Sequence, residues 1–308
     1  MKVLITGING FVGSYLADLS LKKGDAVWGL TNDAGNVVNI GSIADKITVL
    51  AADLNDKPKI KRLLAELRPQ IIYHLAGIRG GTLAELIAGN AYCTANLLAA
   101  CLAAELDGRI VVVGSSSQYG VGGRSKYTER RPYDPNSNYG ISKCVQDLIC
   151  RSYLNNTGLK IIGAVPFNHV GPREPDSLIA SFIAKQVAGI EAGDKTDTVV
   201  LKGDAAAVRD FTDVRDIAAA YYLIARKGRV GQTYNVCSGE GTSVTALIDL
   251  FRSVSGLKFK VKAVGGAGSD NIQIGDPAKI AAELKWRRKI PLKRSLADLL
   301  VHWREKLG

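Results

Sequence analysis

Tyr139 and Lys143 form the one Tyr-x-x-x-Lys spacing in this chain. Residues four positions apart lie on the same face of a helix. A tyrosine normally keeps its proton until about pH 10, and a neighbouring positive charge favours its phenolate form. The pair can therefore give a proton to an oxygen atom, or take one from it, at working pH. The alternative is a boundary tyrosine beside a solvated lysine.

Gly7, Gly10 and Gly13 lie between a predicted strand, residues 2–6, and a predicted helix, residues 11–23. Glycines at this spacing allow a tight turn, close approach of the backbone to a pyrophosphate, and close packing of helix on strand. The helix N-terminus also offers free N–H groups to phosphates. A nicotinamide dinucleotide is therefore the predicted cofactor, with a structural turn as the alternative. The predicted contacts here are Gly7, Gly10, Phe11 and Val12.

The ends of the next strands supply further candidate cofactor contacts. Thr31 and Asn32 end the second predicted strand, where a carboxylate would favour NAD and an arginine NADP. Neither is present, although Asp33 lies just beyond, so NADP is favoured and NAD stays possible. Asp53 either accepts the adenine amino group or caps the next helix, and His74 is predicted to be a hydrogen-bonded structural residue. The other predicted contacts are Leu54, Leu75, Ala76 and Gly77.

Three serines follow the predicted strand at residues 109–114. Hydroxyl groups at the carboxyl end of a strand face the ligand crevice of a doubly wound sheet. One of them, Ser115 or its rival Ser116, can hydrogen-bond the substrate oxygen that Tyr139 protonates. A polar turn is the alternative.

Apolar, β-rich runs alternate with helical stretches through the first two-thirds of the chain. This order predicts an α/β fold, a Rossmann-type doubly wound parallel sheet covered on both faces, with a smaller C-terminal α/β substrate-binding lobe. The predicted dinucleotide-binding domain comprises residues 1–165 plus about 209–237. The predicted lobe comprises about 166–208 and 238–308, with a flexible glycine-rich loop at 265–268.

Composition narrows the class of protein. The chain has 308 residues, of which 46% are hydrophobic, and no apolar run is expected to span a membrane. Five cysteines without a Cys-x-x-Cys and a start without a signal sequence indicate reduced core thiols and a cytoplasmic location. Three scattered histidines predict no metal site. The net charge of +11 suits solvated surface or a polyanionic small molecule, and no nucleic-acid motif is present.

The motifs Thr-Gly-x-x-Gly-x-x-Gly, Ser-Ser-Ser-x-Tyr-Gly and Tyr-x-x-x-Lys occur in this order. Together they resemble the extended short-chain dehydrogenase/reductase superfamily of NAD-dependent epimerases and dehydratases, from Met1 to about Arg304. The resemblance implies that the Ser115 hydroxyl binds the substrate oxygen and that Tyr139 with Lys143 acts as the acid/base pair. Tyr139 and Lys143 are also predicted cofactor contacts, with Lys143 holding the cofactor ribose. The resemblance also implies a homodimer formed through a four-helix bundle by the helices at 91–104 and 142–155, with intramolecular packing as the alternative.

A narrower resemblance points to the substrate. Residues 166–173 are similar to the substrate loop of GDP-sugar enzymes, and residues 209–216, 234–239 and 295–304 look most like GDP-4-keto-6-deoxy-mannose reductases. In the related 4,6-dehydratases a glutamate stands two residues after the catalytic hydroxyl, where this chain has Ser117. Dehydration needs that carboxylate and carbonyl reduction does not. One departure is the stretch at 267–270, which lacks an arginine that these reductases usually carry.

The sequence therefore predicts NAD(P)H-dependent reduction of the C4 carbonyl of a nucleotide-linked 4-keto-6-deoxyhexose. Alternatives are an NAD-retaining nucleotide-sugar epimerase, a 4,6-dehydratase and a non-catalytic NAD(P)-binding regulator. Arg173 and Arg209 are the predicted diphosphate clamps, because guanidinium binds phosphate in a bidentate manner. His169 is predicted to shape its loop. The predicted substrate contacts are Ser116, Ser117, Asn168, Arg173, Lys202 and Arg209.

Overall fold

The computed structural model describes residues 1–33, 35–123, 125–194, 196–265 and 271–308, and for Lys202 the backbone alone. The strands are β1 (Lys2–Thr6), β2 (Ala26–Thr31), β3 (Thr48–Ala51), β4 (Ile71–His74), β5 (Arg109–Val113), β6 (Lys160–Pro166), β7 (Asn168–Val170), β8 (Thr198–Lys202), β9 (Val208–Asp213), β10 (Thr233–Val236), β11 (Gly241–Ser243), β12 (Lys260–Val264) and β13 (Ile272–Gln273). The helices are α1 (Phe11–Lys22), α2 (Lys57–Leu67), α3 (Leu83–Leu86), α4 (Cys93–Ala103), α5 (Asn138–Asn156), α6 (Ile179–Glu191), α7 (Val214–Lys227), α8 (Val244–Ser255), α9 (Ala278–Leu284) and α10 (Leu292–Leu307).

A seven-stranded sheet with the order β10-β6-β5-β4-β1-β2-β3 forms the centre of the molecule, and each of its pairings is parallel. The order reverses between β1 and β4, which places a crevice at the carboxyl ends of these strands. The strands are rich in Val, Ile and Leu because both faces are covered. The sheet therefore brings the segments after β1, β4, β5 and β6 to one edge.

Helices cover both faces of this sheet with separate apolar cores. Apolar residues of α1, α7 and α9 pack on one face around Ile5, Tyr73 and Val111. Residues of α2, α4 and α5 pack on the other around Leu4, Ile72 and Ile110. Neighbouring residues of one strand therefore pack into opposite cores. This packing fixes the orientation of each strand end at the crevice.

The chain after β6 builds a third core and two small sheets. Strand β9 pairs with β7, β11 and β13, and β8 pairs with β12. Helices α6, α8 and α10 pack around Phe211, Phe251 and Trp303. Strand β10 returns to the main sheet beside β6. The assignment of these parts to cofactor and substrate stays a prediction.

Most predicted elements are present, with ends that differ by one or two residues. Helix α6 was not predicted, because it follows the Gly- and Pro-rich segment after β6 and its apolar face lies against α10. The single helix expected at 83–104 is α3, a π-helical segment (Ile87–Tyr92) and α4. The five cysteines are free and buried, as expected. Apart from Gly265, the glycine-rich loop and the stretch at 267–270 lie outside the described residues.

The helical stretch Leu83–Ala103 bears on the expectation that no apolar run spans a membrane. Its 21 residues are long and apolar enough to cross a membrane by length and composition, and half of its most apolar window is buried inside the protein. Small residues such as Ala88 and Gly89 make the apolar character of this run less evident in the sequence. A helix packed in a protein core meets the same criterion, and here α4 contacts α2 and α5.

Candidate active site

A cleft of about 650 Å³ opens at the carboxyl edge of the main sheet. The loops after β1, β4, β5 and β6 form its walls, together with the start of α5 and parts of β7 and β9. It is the place where a doubly wound sheet binds ligands. The predicted site residues that line it are Gly7, Gly10, Phe11, Val12, Leu75, Gly77, Ser115, Ser116, Ser117, Tyr139, Lys143, Asn168 and Arg209.

The glycine turn between β1 and α1 is shaped for a close-lying ligand. Gly7 has a φ of +71°, and a Cβ atom there would lie 3.1 Å from the backbone of Ala76. A Cβ atom on Gly13 would lie 2.2 Å from the carbonyl oxygen of Gly7. Gly10 is the N-cap residue of α1 and supplies no side-chain cap. The first N–H groups of the helix are therefore left for a phosphate. This cradle fits the pyrophosphate of a dinucleotide.

Tyr139 and Lys143 lie on the first two turns of α5, whose N-terminus is capped by the Ser137 hydroxyl accepting from the Gly140 N–H at 3.1 Å. The Lys143 Nζ atom lies 5.9 Å from the centre of the Tyr139 ring. It donates to the carbonyl oxygen of Val113 at 3.1 Å. Lys143 is buried, and this burial lowers the pKa of its ammonium group. The expected helix face is therefore present, with a desolvated cation beside the tyrosine.

The serines after β5 differ in what their hydroxyl groups contact. The Ser115 hydroxyl oxygen accepts from the backbone N–H of Ser117 at 3.2 Å, so its proton stays available for a ligand. The Ser116 hydroxyl is buried and donates to Gln273 Oε1 at 3.0 Å. Ser115 is thus the better placed of the two to hydrogen-bond a substrate oxygen. No carboxylate stands at Ser117.

Three cleft residues escaped the sequence analysis because no short motif marks them. Arg79, in the loop after β4, is exposed and places its guanidinium carbon 5.5 Å from the centre of the Tyr139 ring. Glu174 follows β7 and is 3% exposed. Tyr221 comes from α7 and is fully buried. A long-range contact, which the sequence does not display, brings each of them to the cleft.

A second wall of the cleft, formed by Asn168, Glu174 and Tyr221, carries buried polar atoms without a hydrogen-bond partner in the protein. These atoms are Asn168 Nδ2, Glu174 Oε2 and the Tyr221 hydroxyl oxygen. Burial raises the pKa of Glu174 well above its ordinary value, and the backbone N–H groups of Gly171 and Ser181 counteract this effect. An unmet buried hydrogen bond costs about 1–3 kcal/mol. A polar ligand in the cleft would relieve this cost.

The two arginines predicted as diphosphate clamps have different surroundings. Arg209 lines the cleft and donates to the carbonyl oxygen of Asn271 at 2.8 Å. Arg173 does not line it, because its backbone adopts a left-handed φ of 69° and its Nη1 atom pairs with Asp18 on α1 at 2.8 Å. The side chain of Lys202 lies outside the described part of the chain.

The residues predicted near the adenine end do not line this cleft either. Thr31 is buried, and its hydroxyl oxygen accepts from the backbone N–H of Asp33 at 3.2 Å. Asp53 accepts from the backbone N–H of Asn55 at 2.9 Å, whereas Asp56 caps α2. The capping alternative for Asp53 is therefore wrong. Asn32, Leu54 and Ala76 also lie outside the lining.

His169 and His74 both have structural surroundings. The ring of His169 stacks on that of Phe11 with 5.6 Å between centres, which joins the loop after β6 to the glycine turn. His74 is fully buried and hydrogen-bonded at both ring nitrogens, as the sequence predicted. Among the described residues no group of His, Cys, Asp and Glu is arranged to hold a metal ion.

Comparison with known proteins places this cleft in a family. The model of the family "GDP-mannose 4,6 dehydratase" matches residues 4–299. The chain belongs to this family. A GDP-6-deoxy-D-mannose reductase from Pseudomonas aeruginosa is 27% identical to it, with 99% of this chain and 98% of the relative aligned. A dTDP-glucose 4,6-dehydratase from Xanthomonas campestris is 30% identical over 97% of this chain and 92% of its own.

The solved structures agree with that placement. The structure of RMD from Pseudomonas aeruginosa complexed with NADPH superposes with a TM-score of 0.87 at 25% identity, covering 99% of this chain and 100% of that one. The predicted doubly wound fold and the extended short-chain dehydrogenase/reductase type are confirmed. The protein is an NAD(P)-dependent enzyme of this type. The relatives of this chain are named as reductases, dehydratases and epimerases, so their names do not decide its reaction. The reaction is therefore argued from the site.

Proposed function

We propose that this enzyme reduces the C4 carbonyl of a nucleotide-linked 4-keto-6-deoxyhexose with NADPH, of the type that converts GDP-4-keto-6-deoxy-mannose to GDP-rhamnose. The observation that carries the proposal is the trio Ser115, Tyr139 and Lys143 in one cleft with Ser117 where a dehydratase needs a carboxylate. Reduction requires one proton donor for the new alkoxide and no group that removes a proton beside the carbonyl. The site provides the first in Tyr139, and Ser117 stands where a dehydratase carries the second.

The protein residues have separate tasks in this scheme. A bound nicotinamide cofactor supplies the hydride. Tyr139 donates the proton to the C4 oxygen, and the Ser115 hydroxyl donates a hydrogen bond that orients the same oxygen. The Lys143 ammonium stabilises the phenolate left on Tyr139 and holds the ribose of the cofactor. Burial of Lys143 strengthens its electrostatic effect on the tyrosine because little water screens it.

NADP is the proposed form of the cofactor. Thr31 and Asn32 stand at the end of β2, where a carboxylate would favour NAD, and the nearest following carboxylate in the sequence is Asp33. The relative solved with NADPH supports the choice. Comparing kcat/KM for NADPH and NADH tests it, and a preference for NADH would overturn it.

The nucleotide sugar is proposed to lie along the wall formed by β7, β9 and the loop before α6. Arg209 offers its guanidinium to the diphosphate, and Asn168 offers its amide to the sugar or the diphosphate. Glu174 faces the hexose, where a carboxyl group can bond to ring hydroxyls. Serines 116 and 117 line the same region. Arg173, which pairs with Asp18, contributes to this surface only indirectly.

A direct assay tests the reaction. The purified enzyme is mixed with GDP-4-keto-6-deoxy-mannose and NADPH, and the loss of NADPH absorbance is followed. Oxidation of NADPH that depends on the keto sugar is expected. A folded, cofactor-binding preparation that leaves NADPH unchanged would reject this substrate. Turnover of a nucleotide hexose without added NADPH, by protein that copurifies with NAD, would instead identify a reaction that returns the hydride to the sugar, either an epimerisation or a 4,6-dehydration.

A homodimer through α4 and α5 is proposed as the assembly. The two helices contact each other, and each carries a large apolar side chain in solvent, Leu102 at 46% and Leu148 at 56% exposure. Two copies of this pair would make a four-helix bundle. Light scattering should give twice the mass of the chain, and Leu148→Glu should reduce it to one chain mass. A monomer in the unsubstituted protein would refute the proposal.

A further inference from the structure

A chain of buried hydrogen bonds leads away from Lys143 into the protein. The Lys143 Nζ atom donates to Gln146 Oε1 at 2.8 Å, and Gln146 Nε2 donates to the Thr94 hydroxyl at 2.9 Å. The same hydroxyl lies 2.8 Å from His74 Nε2, and His74 Nδ1 lies 2.8 Å from the Thr6 hydroxyl. Each of these side chains is at most 6% exposed. The chain therefore joins α5, α4, β4 and β1 without solvent.

The chemistry of the partners fixes the direction of every bond in this chain. Thr94 donates its single hydroxyl proton to the carbonyl oxygen of Asn90 at 2.7 Å, because a carbonyl can only accept. Its oxygen must then accept from both Gln146 and His74, so His74 carries its proton on Nε2. His74 Nδ1 accepts from the Thr6 hydroxyl, whose oxygen accepts from the backbone N–H of Ala76 at 3.1 Å.

The neutral state of His74 agrees with this arrangement. Burial, assisted by the charge of Lys143, lowers the pKa of His74 to about 3. A proton on Nδ1 would also displace the Thr6 proton, which has no second acceptor among these atoms. The ring is thus a fixed connector with one donor and one acceptor.

The far end of the chain reaches the cofactor wall of the cleft. Ala76 lies between Leu75 and Gly77, which both line the cleft. Asn90, whose carbonyl anchors Thr94, also holds Ile78 through its side chain, with the Ile78 N–H donating to Oδ1 at 2.9 Å. Asn90 lies in the π-helical segment, and such segments often occur at functional sites. Both ends of the chain therefore border the same ligand space.

We propose that Gln146, Thr94 and His74 are positioning residues that hold the Lys143 ammonium and couple its position to the Leu75–Gly77 wall of the cleft. This inference rests on the proposed role of Lys143 in holding the cofactor ribose. Gln146 acts by fixing the ammonium, and Thr94 with His74 act by fixing Gln146. None of the three touches the reacting atoms.

A double-mutant cycle on dinucleotide binding tests the proposal without any sugar substrate. NADPH affinity is measured by fluorescence for the unsubstituted enzyme, Gln146→Leu, Lys143→Met and the double variant. Gln146→Leu should weaken NADPH binding about three- to tenfold in the unsubstituted enzyme and by less than about twofold in Lys143→Met, because residues that act through one another are not additive. Equal weakening in both backgrounds, or none in the first, would overturn the proposal.

Further variants separate positioning from general damage. Thr94→Val keeps the shape of threonine and should give a smaller loss that also disappears in Lys143→Met. Gln186→Leu is the matched control, since Gln186 is a hydrogen-bonded glutamine on α6 outside the cleft; its NADPH affinity should be unchanged.

The protonation state of His74 gives a measurement that needs no variant. Nitrogen NMR of the unsubstituted protein should show one histidine with a protonated Nε2 and a bare Nδ1 between about pH 5 and pH 8. Titration of that ring, or the opposite tautomer, would contradict the inferred bond directions. If the unsubstituted enzyme binds the dinucleotide but does not reduce the keto sugar, only the proposed substrate is wrong. If it does not bind the dinucleotide, both the proposed function and the proposed positioning role are wrong.

Discussion

The two walls of the cleft differ in how their buried polar groups are satisfied. On the lysine wall, each side chain from Lys143 through Gln146 and Thr94 to His74 makes at least two hydrogen bonds within the protein. On the second wall, formed by Asn168, Glu174 and Tyr221, Glu174 and Tyr221 keep buried oxygens without partners. The first wall is held together by bonds within the protein, and the second leaves buried polar atoms that a ligand can satisfy. The lysine wall is therefore assigned to catalysis by preorganised groups, and the second wall to recognition of a polar ligand.

The largest expected effect comes from Tyr139, on the lysine wall. Tyr139→Phe should lower kcat by about one hundred- to ten-thousandfold, the usual contribution of a positioned proton donor. NADPH affinity should stay within about twofold, since Lys143 and its partners are untouched. Tyr153→Phe is the control on the same helix, because that hydroxyl lies outside the cleft and contacts the carbonyl of Ala95. Unchanged turnover in Tyr139→Phe would show that the proton donor is wrongly assigned.

Acid should destabilise the lysine wall through His74. Its pKa is about 3 in the folded protein and about 6.5 when unfolded, so the unfolded state binds the proton first as the pH falls. Stability from this residue is present above about pH 6.5 and should fall by about 2 kcal/mol on going to pH 5. Urea unfolding at both values, compared with His74→Asn, measures the effect. The same acid loss in the variant would exclude His74 as its source.

Glu174 tests the second wall. Glu174→Gln should weaken the binding of a nucleotide hexose about tenfold, while the affinities for GDP and NADPH stay within about twofold. Calorimetric titration of GDP-mannose, GDP and NADPH separates the three contributions. Asp176→Asn, an exposed carboxylate two residues further along, should change none of them. A parallel loss of GDP or NADPH affinity would place Glu174 outside the hexose site.

The smallest effect is expected at Arg173. Its guanidinium already pairs with Asp18 and lies 4.7 Å from the centre of the Tyr15 ring, so Arg173→Ala should change GDP affinity by less than about twofold. Arg209→Ala, on a cleft residue, should give the larger loss. Measuring both variants side by side shows which arginine serves the diphosphate, and a larger loss in Arg173→Ala would reverse the assignment.

The sequence predicted the glycine turn and the tyrosine–lysine pair well because their parts are local. A strand followed by a glycine turn, and a tyrosine one helical turn before a lysine, have a fixed geometry that spacing alone conveys. Strands β1, β3 and β6 and helix α2 were predicted with their observed bounds for the same reason. The different hydrogen bonding of Ser115, Ser116 and Ser117 could not be predicted from the sequence, because it depends on Gln273, which lies far along the chain.

Most residues of the second wall could not be predicted from the sequence. Glu174, Tyr221 and Arg79 reach the cleft from separate segments through tertiary packing, and their neighbours in the sequence resemble ordinary loop or helix residues. Arg173 had the residue type of a phosphate ligand, but a left-handed backbone and Asp18 set its direction. The chain from Lys143 to His74 joins four elements, so no sequence period could indicate it.

Isotope transfer tests the proposed reaction most directly. The enzyme is incubated with GDP-4-keto-6-deoxy-mannose and NADPH that carries deuterium at the transferable position of the nicotinamide, and the product is examined by NMR. The account predicts one deuterium at C4 of the hexose, with one NADPH consumed for each product molecule. A product without deuterium, or with deuterium at another carbon, would contradict reduction of the C4 carbonyl by this site.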